Sequence, residues 1–243
     1  MLFGLFQERA EAQFPVHLKK IEIPSTLDQT LQPSMFWAPH VDTPRPILVF
    51  LHSWSGDYRQ DNIRWLKEAV ERKWIFLHPN FRGRNNHPEA CGSELARQDI
   101  LDAIDWVMKN VPVDRERVYL AGSSGGGHMA MLMAGHAPDR FSAVSAWVGI
   151  SDLRRWYEFH TRTGAPDNYG KMILNSLSGS PGESPEIDLQ YQDRSPICHL
   201  HQVGNLPLDL CAGLHDGHTG SVPIDHSLLA FNVIASANHF PLI

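Results

Sequence analysis

The sequence predicts an α/β fold, with a mostly parallel central sheet flanked by helices, a single domain over 1–243 and a small cap or insertion around 151–200. Three observations carry this. Continuous apolar runs such as PILVFLH (46–52) have the pattern of strands buried on both faces. Those runs alternate with segments of helical periodicity, which implies parallel strands joined by right-handed crossovers. A chain of 243 residues that is 42% hydrophobic and 20% charged can bury one sizeable core.

The elements follow in order. VHLKKIEI (16–23) and LQPSMFWAP (31–39) read as two short strands separated by turn residues. PILVFLH is the third. IRWLKEAVERK (63–73) carries apolar residues at helical spacing, and KWIFLHPN (73–80) is another buried strand. ELARQDILDAIDWVMKNV (94–111) is the clearest amphipathic helix, ended by Pro112. RVYLAG (117–122) is a strand, HMAMLMAGHA (128–137) a helix with core methionines, and FSAVSAWVGI (141–150) a strand. Residues 151–200, rich in Pro, Gly and Ser, read as a helical insertion with long loops. LPLDLCAG (206–213) is a last strand and VPIDHSLLAFNVIAS (222–236) a last helix.

Composition excludes several classes. The formal charge is −6, with 27 acidic against 21 basic residues. No Lys/Arg block stands out, so nucleic acid is not an expected partner. No window approaches eighteen consecutive apolar residues, so no membrane span is expected. The start, MLFGLFQERAEAQ, lacks the basic region of a signal peptide. Cys91, Cys198 and Cys211 form no CxxC and no dense framework. The expected location is cytoplasmic, with secretion the alternative had a leader been removed. Nothing in the sequence fixes the assembly state.

The chemistry centres on VYLAGSSGGGHMA (118–130). Strand, glycine-rich turn and helix follow one another, the context in which Gly-x-Ser-x-Gly presents a nucleophile. A serine at the apex of a sharp turn needs an unusual backbone, and small residues beside it let strand and helix approach. Only Gly122, Ser124 and Gly126 fit the pattern, so Ser124 is the nucleophile candidate. The helix start aims free N–H groups at the same place, and the Gly125 amide is one oxyanion donor. The competing reading is a structural turn or phosphate nest, but no GK[ST] follows.

A serine hydroxyl needs a base, and the base an orienting acid. Asp216 follows a strand by a few residues, and post-strand loops of a parallel sheet gather at one edge. Asp225 and Asp152 are the alternatives, Asp152 also as a pocket carboxylate. Chain order then asks for a histidine after Asp216. His218 sits too close to the acid, His226 lies inside the helix, and His239 is the only one beyond it. The second oxyanion donor is expected from FLHSWSGD, as the backbone N–H of Trp54 or Ser53, with His52 orienting that loop. Arg82 and Arg84 could hold a substrate carboxylate or face solvent. No HExxH occurs, and neither His78/His87 nor His215/His218 shows ligand spacing, so no metal and no cofactor are expected.

These motifs resemble the prolyl-oligopeptidase branch of the α/β hydrolases, without the propeller that many relatives carry. The likeness covers roughly 15–236 and rests on LVFLHSWSGD, HPNFRGRN, ELARQDILDAIDWV, the Ser124 stretch, DRSPI and GLHDGHTGSVPIDHSLLAF. The family's acid in a strand-end Gly-x-x-Asp maps onto Gly213 and Asp216, and its Val-Pro and following Ser onto Val222, Pro223 and Ser227. There are departures. Five residues separate Asp216 from Val222 where the family usually has two, HSW replaces HGG, and the family's last strand and Gly-His signature are not recognisable before Ile243. The resemblance implies an α/β-hydrolase fold and a serine hydrolase that cleaves an ester or a short peptide through an acyl-enzyme. A carboxylesterase or acetylesterase is one alternative. A non-catalytic chain, or one incomplete at its C-terminus and lacking the base, is the other.

Overall fold

Strands β1 (Lys19–Pro24), β2 (Leu31–Trp37), β3 (Arg45–Leu51), β4 (Ile75–Pro79), β5 (Val113–Ser123), β6 (Ala143–Trp147) and β7 (Leu208–Cys211) form one sheet ordered β1-β2-β4-β3-β5-β6-β7. They belong to a computed structural model that describes residues 16–243, so the leader reading of MLFGLFQERAEAQ lies outside the described residues. β1 pairs with β2, and β2 with β4, in antiparallel fashion; the pairings β3–β4, β3–β5, β5–β6 and β6–β7 are parallel. The mostly parallel sheet expected from the sequence is therefore present. β5 starts earlier than RVYLAG, because Val113 pairs with Arg45 across an irregularity in the ladder.

Helices α1 (Ile63–Glu71), α2 (Glu94–Asn110) and α3 (Gly125–His136) connect successive parallel strands, and α7 (Asp225–Ala237) follows the last of them, β7. α2 starts where the Ser93 hydroxyl accepts the Ala96 N–H at 3.1 Å, and it ends ahead of Pro112. α3 is buried along nearly its whole length, Met129, Met131 and Met133 included, as an all-round apolar helix requires. It also takes in three glycines the sequence left as turn. Glycine is a poor helix former, so packing, not propensity, winds this first turn.

The stretch 151–200 holds three helices, α4 (Leu153–Thr161), α5 (Asn168–Leu177) and α6 (Pro185–Asp193). Each is started by an acceptor side chain: Asp152, Asp167 and Ser184. They enclose a second core of Leu153, Trp156, Ile173, Leu177 and Tyr191, which also takes in Trp54 from the loop after β3. Arg194 ties this cap down, its Nη1 donating to the carbonyls of Pro88 at 2.8 Å and Ala90 at 3.1 Å. All three cysteines are free thiols. Among the described residues no helix is long and apolar enough to cross a membrane.

Candidate active site

The loops that leave β3, β5, β6 and β7 gather at the carboxyl edge of the sheet, and Ser124 stands at the tightest of them. It separates β5 from α3 with φ 58° and ψ −118°, a backbone that L-residues avoid unless the surroundings impose it. Its N–H donates to the Trp147 carbonyl at 2.8 Å, and its carbonyl accepts the His128 N–H at 2.9 Å. The hydroxyl is left half-buried at the turn's apex. The glycines explain how the turn closes. A Cβ on Gly122 would lie 2.2 Å from the Gly126 carbonyl oxygen, and one on Gly126 would lie 2.1 Å from that of Leu51.

Gly125 faces the loop after β3. A Cβ there would sit 2.3 Å from the Trp54 amide nitrogen, so the two backbones touch. Among the described residues neither the Gly125 nor the Trp54 N–H has a protein acceptor. Ser53 is excluded as a donor, because its N–H is committed to Gln60 Oε1 at 2.8 Å. Trp54 is fixed by its own side chain, 1% exposed, with ring centroids 4.5 Å from Trp156 and 5.8 Å from His128. A buried indole thus fixes this loop where the sequence has HSW. His52 packs beneath this loop: it stacks on Phe81 at 3.8 Å, Nε2 donates to the Asn80 carbonyl at 2.7 Å, and Nδ1 faces the Ser53 carbonyl.

Asp216 lies in the loop after β7, two strands from Ser124. Its Oδ2 accepts the Gly213 N–H at 2.7 Å, and its own N–H donates to the Gly213 carbonyl at 3.1 Å. Two strand spacings are roughly 10 Å, and an imidazole bonded at both nitrogens spans about 8 Å. A relay from Ser124 to Asp216 would have to place one histidine ring between these two loops.

His239 is not that ring. α7 begins at the carboxyl edge of the sheet, where the Ser151 hydroxyl donates to the His226 carbonyl at 2.8 Å. It then runs back along the sheet, and thirteen helical residues carry the chain about 20 Å away. His239 is exposed beyond that far end, its N–H on the Ser236 carbonyl. Among the described residues no imidazole hydrogen-bonds the Ser124 hydroxyl.

The other candidates are also placed. Arg82 does not face the cleft or solvent. It is buried, with Nε on Asp99 Oδ2 at 2.6 Å and Nη1 on Asp28 Oδ2 at 2.8 Å. The left-handed backbone at Phe81 and Arg82 turns it toward α2 and away from the sheet edge. Arg84 Nε donates to the Ser55 carbonyl. Asp152 caps α4 by accepting the Arg155 N–H at 3.1 Å, and Asp225 pairs with Arg155.

Two histidines are buried beneath the site: His128, which the sequence showed only as part of a core helix, and His226, which it set aside as lying inside the last helix. His128 Nε2 donates to the Arg194 carbonyl at 2.8 Å and leaves Nδ1 without a partner. His226 Nδ1 accepts the Ser151 N–H at 3.3 Å and leaves Nε2 without one. Only their complete burial marks them, and nothing local in HMAML or IDHS announces it. Desolvation, the leading cause in each, lowers His78, His128 and His226 from 6.5 to about 4. Unfolding therefore takes up protons as the pH falls from 6.5 toward 4, so stability is full above that window and declines through it. Each ring contributes roughly 3 kcal/mol to the decline. Urea midpoints are expected to fall steeply with acidification across this window, and His226→Gln is expected to flatten the slope. A midpoint that stays constant from pH 7 to 4.5 would contradict the neutral burial of these rings.

The prolyl oligopeptidase family matches residues 63–239. Acylamino-acid-releasing enzyme 1 of Oryza sativa subsp. japonica is 28% identical over 186 residues, 68% of this chain and 22% of that protein. An uncharacterised peptidase of Bacillus subtilis (strain 168), YtmA, is 28% identical over 165 residues, 67% of this chain and 58% of that one. The structure of the Pyrococcus horikoshii acylaminoacyl peptidase superposes with a TM-score of 0.71 at 22% identity, covering 91% of this chain and 35% of that one. The fold is thus that of the α/β hydrolases, and the chain matches between 22% and 58% of the length of each of these proteins.

Proposed function

From the premise that the chain belongs to the prolyl oligopeptidase family, we propose that it is a serine hydrolase with Ser124 as its nucleophile. The observation that carries this reading is one piece of geometry. Ser124 sits in a strained left-handed backbone beside two amides, those of Gly125 and Trp54, that have no acceptor. Such a pair of donors suits a carbonyl oxygen that gains charge, and each is worth about 3 kcal/mol of transition-state stabilisation.

In the proposed reaction Ser124 Oγ attacks an ester or amide carbonyl while a histidine takes its proton. The Gly125 and Trp54 amides hold the oxyanion as it forms. The protonated histidine then hands its proton to the leaving alcohol or amine, and Asp216 holds its tautomer. Water, activated by the same ring, releases the acid and restores Ser124. The substrate is a short peptide or a small ester. An N-acylated peptide is the first to try, given the acylamino-acid-releasing relative. No cofactor or metal takes part in this scheme. The three free thiols support a cytoplasmic location.

A second reading has its own observation, the lack of an imidazole bonded to the Ser124 hydroxyl among the described residues. Under it the chain binds substrates, or is acylated slowly, without turnover. Fluorophosphonate labelling followed by peptide mapping separates the two. One adduct on Ser124 with turnover of p-nitrophenyl acetate or an acyl-peptide anilide is expected. An adduct without turnover favours the second reading, and labelling elsewhere overturns the first. Turnover of the anilide alone would remove the esterase alternative.

A further inference from the structure

His136, Asp193 and His199 meet on the side of the molecule away from Ser124. Each offers one ligand atom, and these atoms all lie within 4.8 Å of one another. His136 is the last residue of α3, Asp193 the last of α6, and His199 lies between two 3-10 turns, Pro196–Cys198 and Leu200–Gln202. The three come from separate segments, and no short motif joins them. From this arrangement we propose a binding site for a divalent d-block cation of the zinc class, which joins the cap to the end of the nucleophile helix.

Four features support it. First, the backbones are held together. A Cβ on Gly135 would lie 2.7 Å from His199 Cβ, so glycine is what lets α3 close onto His199. The two rings stand 4.0 Å apart, centroid to centroid, tilted by 38°. Second, the His199 tautomer is set. Its Nε2 donates to the Asp193 carbonyl at 2.9 Å, which leaves the lone pair on Nδ1 for a metal. Metal-bound histidines are commonly fixed by such a bond.

Third, the donor set has a chemical preference. Two imidazoles and one carboxylate suit zinc and its neighbours and not magnesium or calcium. Zinc–nitrogen bonds near 2.1 Å place tetrahedral ligands roughly 3.3 Å apart. The atoms must draw in by about 1.5 Å, which a rotamer change of exposed His136 supplies. Fourth, the local charge permits it. Arg97 pairs with Asp193 Oδ2 at 3.1 Å and offsets its charge, so a modest affinity is expected in place of a closed structural centre. α3 separates the cluster from Ser124 by about 18 Å. The cation would therefore brace the cap and take no part in acyl transfer.

Isothermal titration of the metal-stripped chain with Zn2+ tests this. One saturable equivalent per chain is expected, with a higher melting temperature in the presence of Zn2+ and no competition from Mg2+. His136→Gln, at an exposed position that leaves the fold intact, is expected to weaken binding at least about tenfold and to abolish the thermal shift. Asp193→Asn is expected to do the same, and Ser124→Ala to bind as the parent does. The proposal fails if no stoichiometric binding is seen. It fails equally if His136→Gln binds like the parent, because the zinc is then held by other histidines. Neither result bears on the Ser124 chemistry.

Discussion

Ser124→Ala is expected to lower kcat/KM on an activated ester or acyl-peptide anilide by about 10^6-fold, leaving only the roughly 10^3–10^4-fold over water that the oxyanion amides and binding supply. A loss of that size is about 8 kcal/mol of transition-state stabilisation, the scale expected when the nucleophile or its base is removed. The variant keeps its Cβ and hence the strained φ of 58°, so its melting temperature should stay within a degree or two of the parent. Ser124→Gly is the companion. It loses the same activity, but glycine relaxes the left-handed backbone, worth about 1–3 kcal/mol against a glycine entropy cost of about 0.5–1. A gain of a few degrees is therefore expected. Opposite signs of activity and stability at one position mark a site where strain serves chemistry. If Ser124→Ala still turns substrate over as the parent does, the nucleophile lies elsewhere.

Gly126→Ala is expected to be, with Gly122→Ala and Gly125→Ala, among the most damaging single methyls at the described glycines. The added carbon would lie 2.1 Å from the Leu51 carbonyl oxygen and 2.9 Å from that of His52. Both are backbone atoms of the central strand β3 and its exit, so no side-chain rotation relieves the overlap. Either α3 or β3 must move, and both are anchored in the main core. A cost of at least about 4 kcal/mol follows, which lowers the melting temperature by roughly ten degrees or more or leaves the chain insoluble. Gly164→Ala is the control. Gly164 has a positive φ of 96°, unlike Gly126, but nothing within 4 Å of an added Cβ, so about 1 kcal/mol is expected. Equal melting temperatures for the two variants would overturn the close approach of elbow and sheet.

Much of this was legible in the residues. The period of the apolar runs located every strand and the helices α1, α2, α3 and α7, because one-sided or two-sided burial imposes that period on any sequence that folds this way. The Gly122–Ser124–Gly126 pattern located the elbow for a similar reason: the steric demand is local and only glycine meets it. The two oxyanion candidates were narrowed but not separated. Ser53 and Trp54 are neighbours, and their difference is the Gln60 side chain, seven residues on, which takes one amide and leaves the other.

Three readings failed in an instructive way. Arg82 was expected in the cleft or in solvent, yet Asp28 and Asp99, 54 and 17 residues away, hold it. His239 was expected at the serine because it follows the last helix, but order along a chain does not give direction in space. RVYLAG (117–122) was read as the whole strand, yet β5 begins at Val113, because its start is set by pairing with Arg45, 68 residues away.

The sequence by itself determined the α/β class, the family and the position of the nucleophile candidate, since periodicity and turn sterics act over a few residues. The tertiary structure decided which amides stay free, where Arg82 and His239 point, and that His136, Asp193 and His199 meet. Those are facts of contact between segments tens of residues apart. They depend on crossover directions and on glycines that let backbones touch, quantities that no local stretch of this chain encodes.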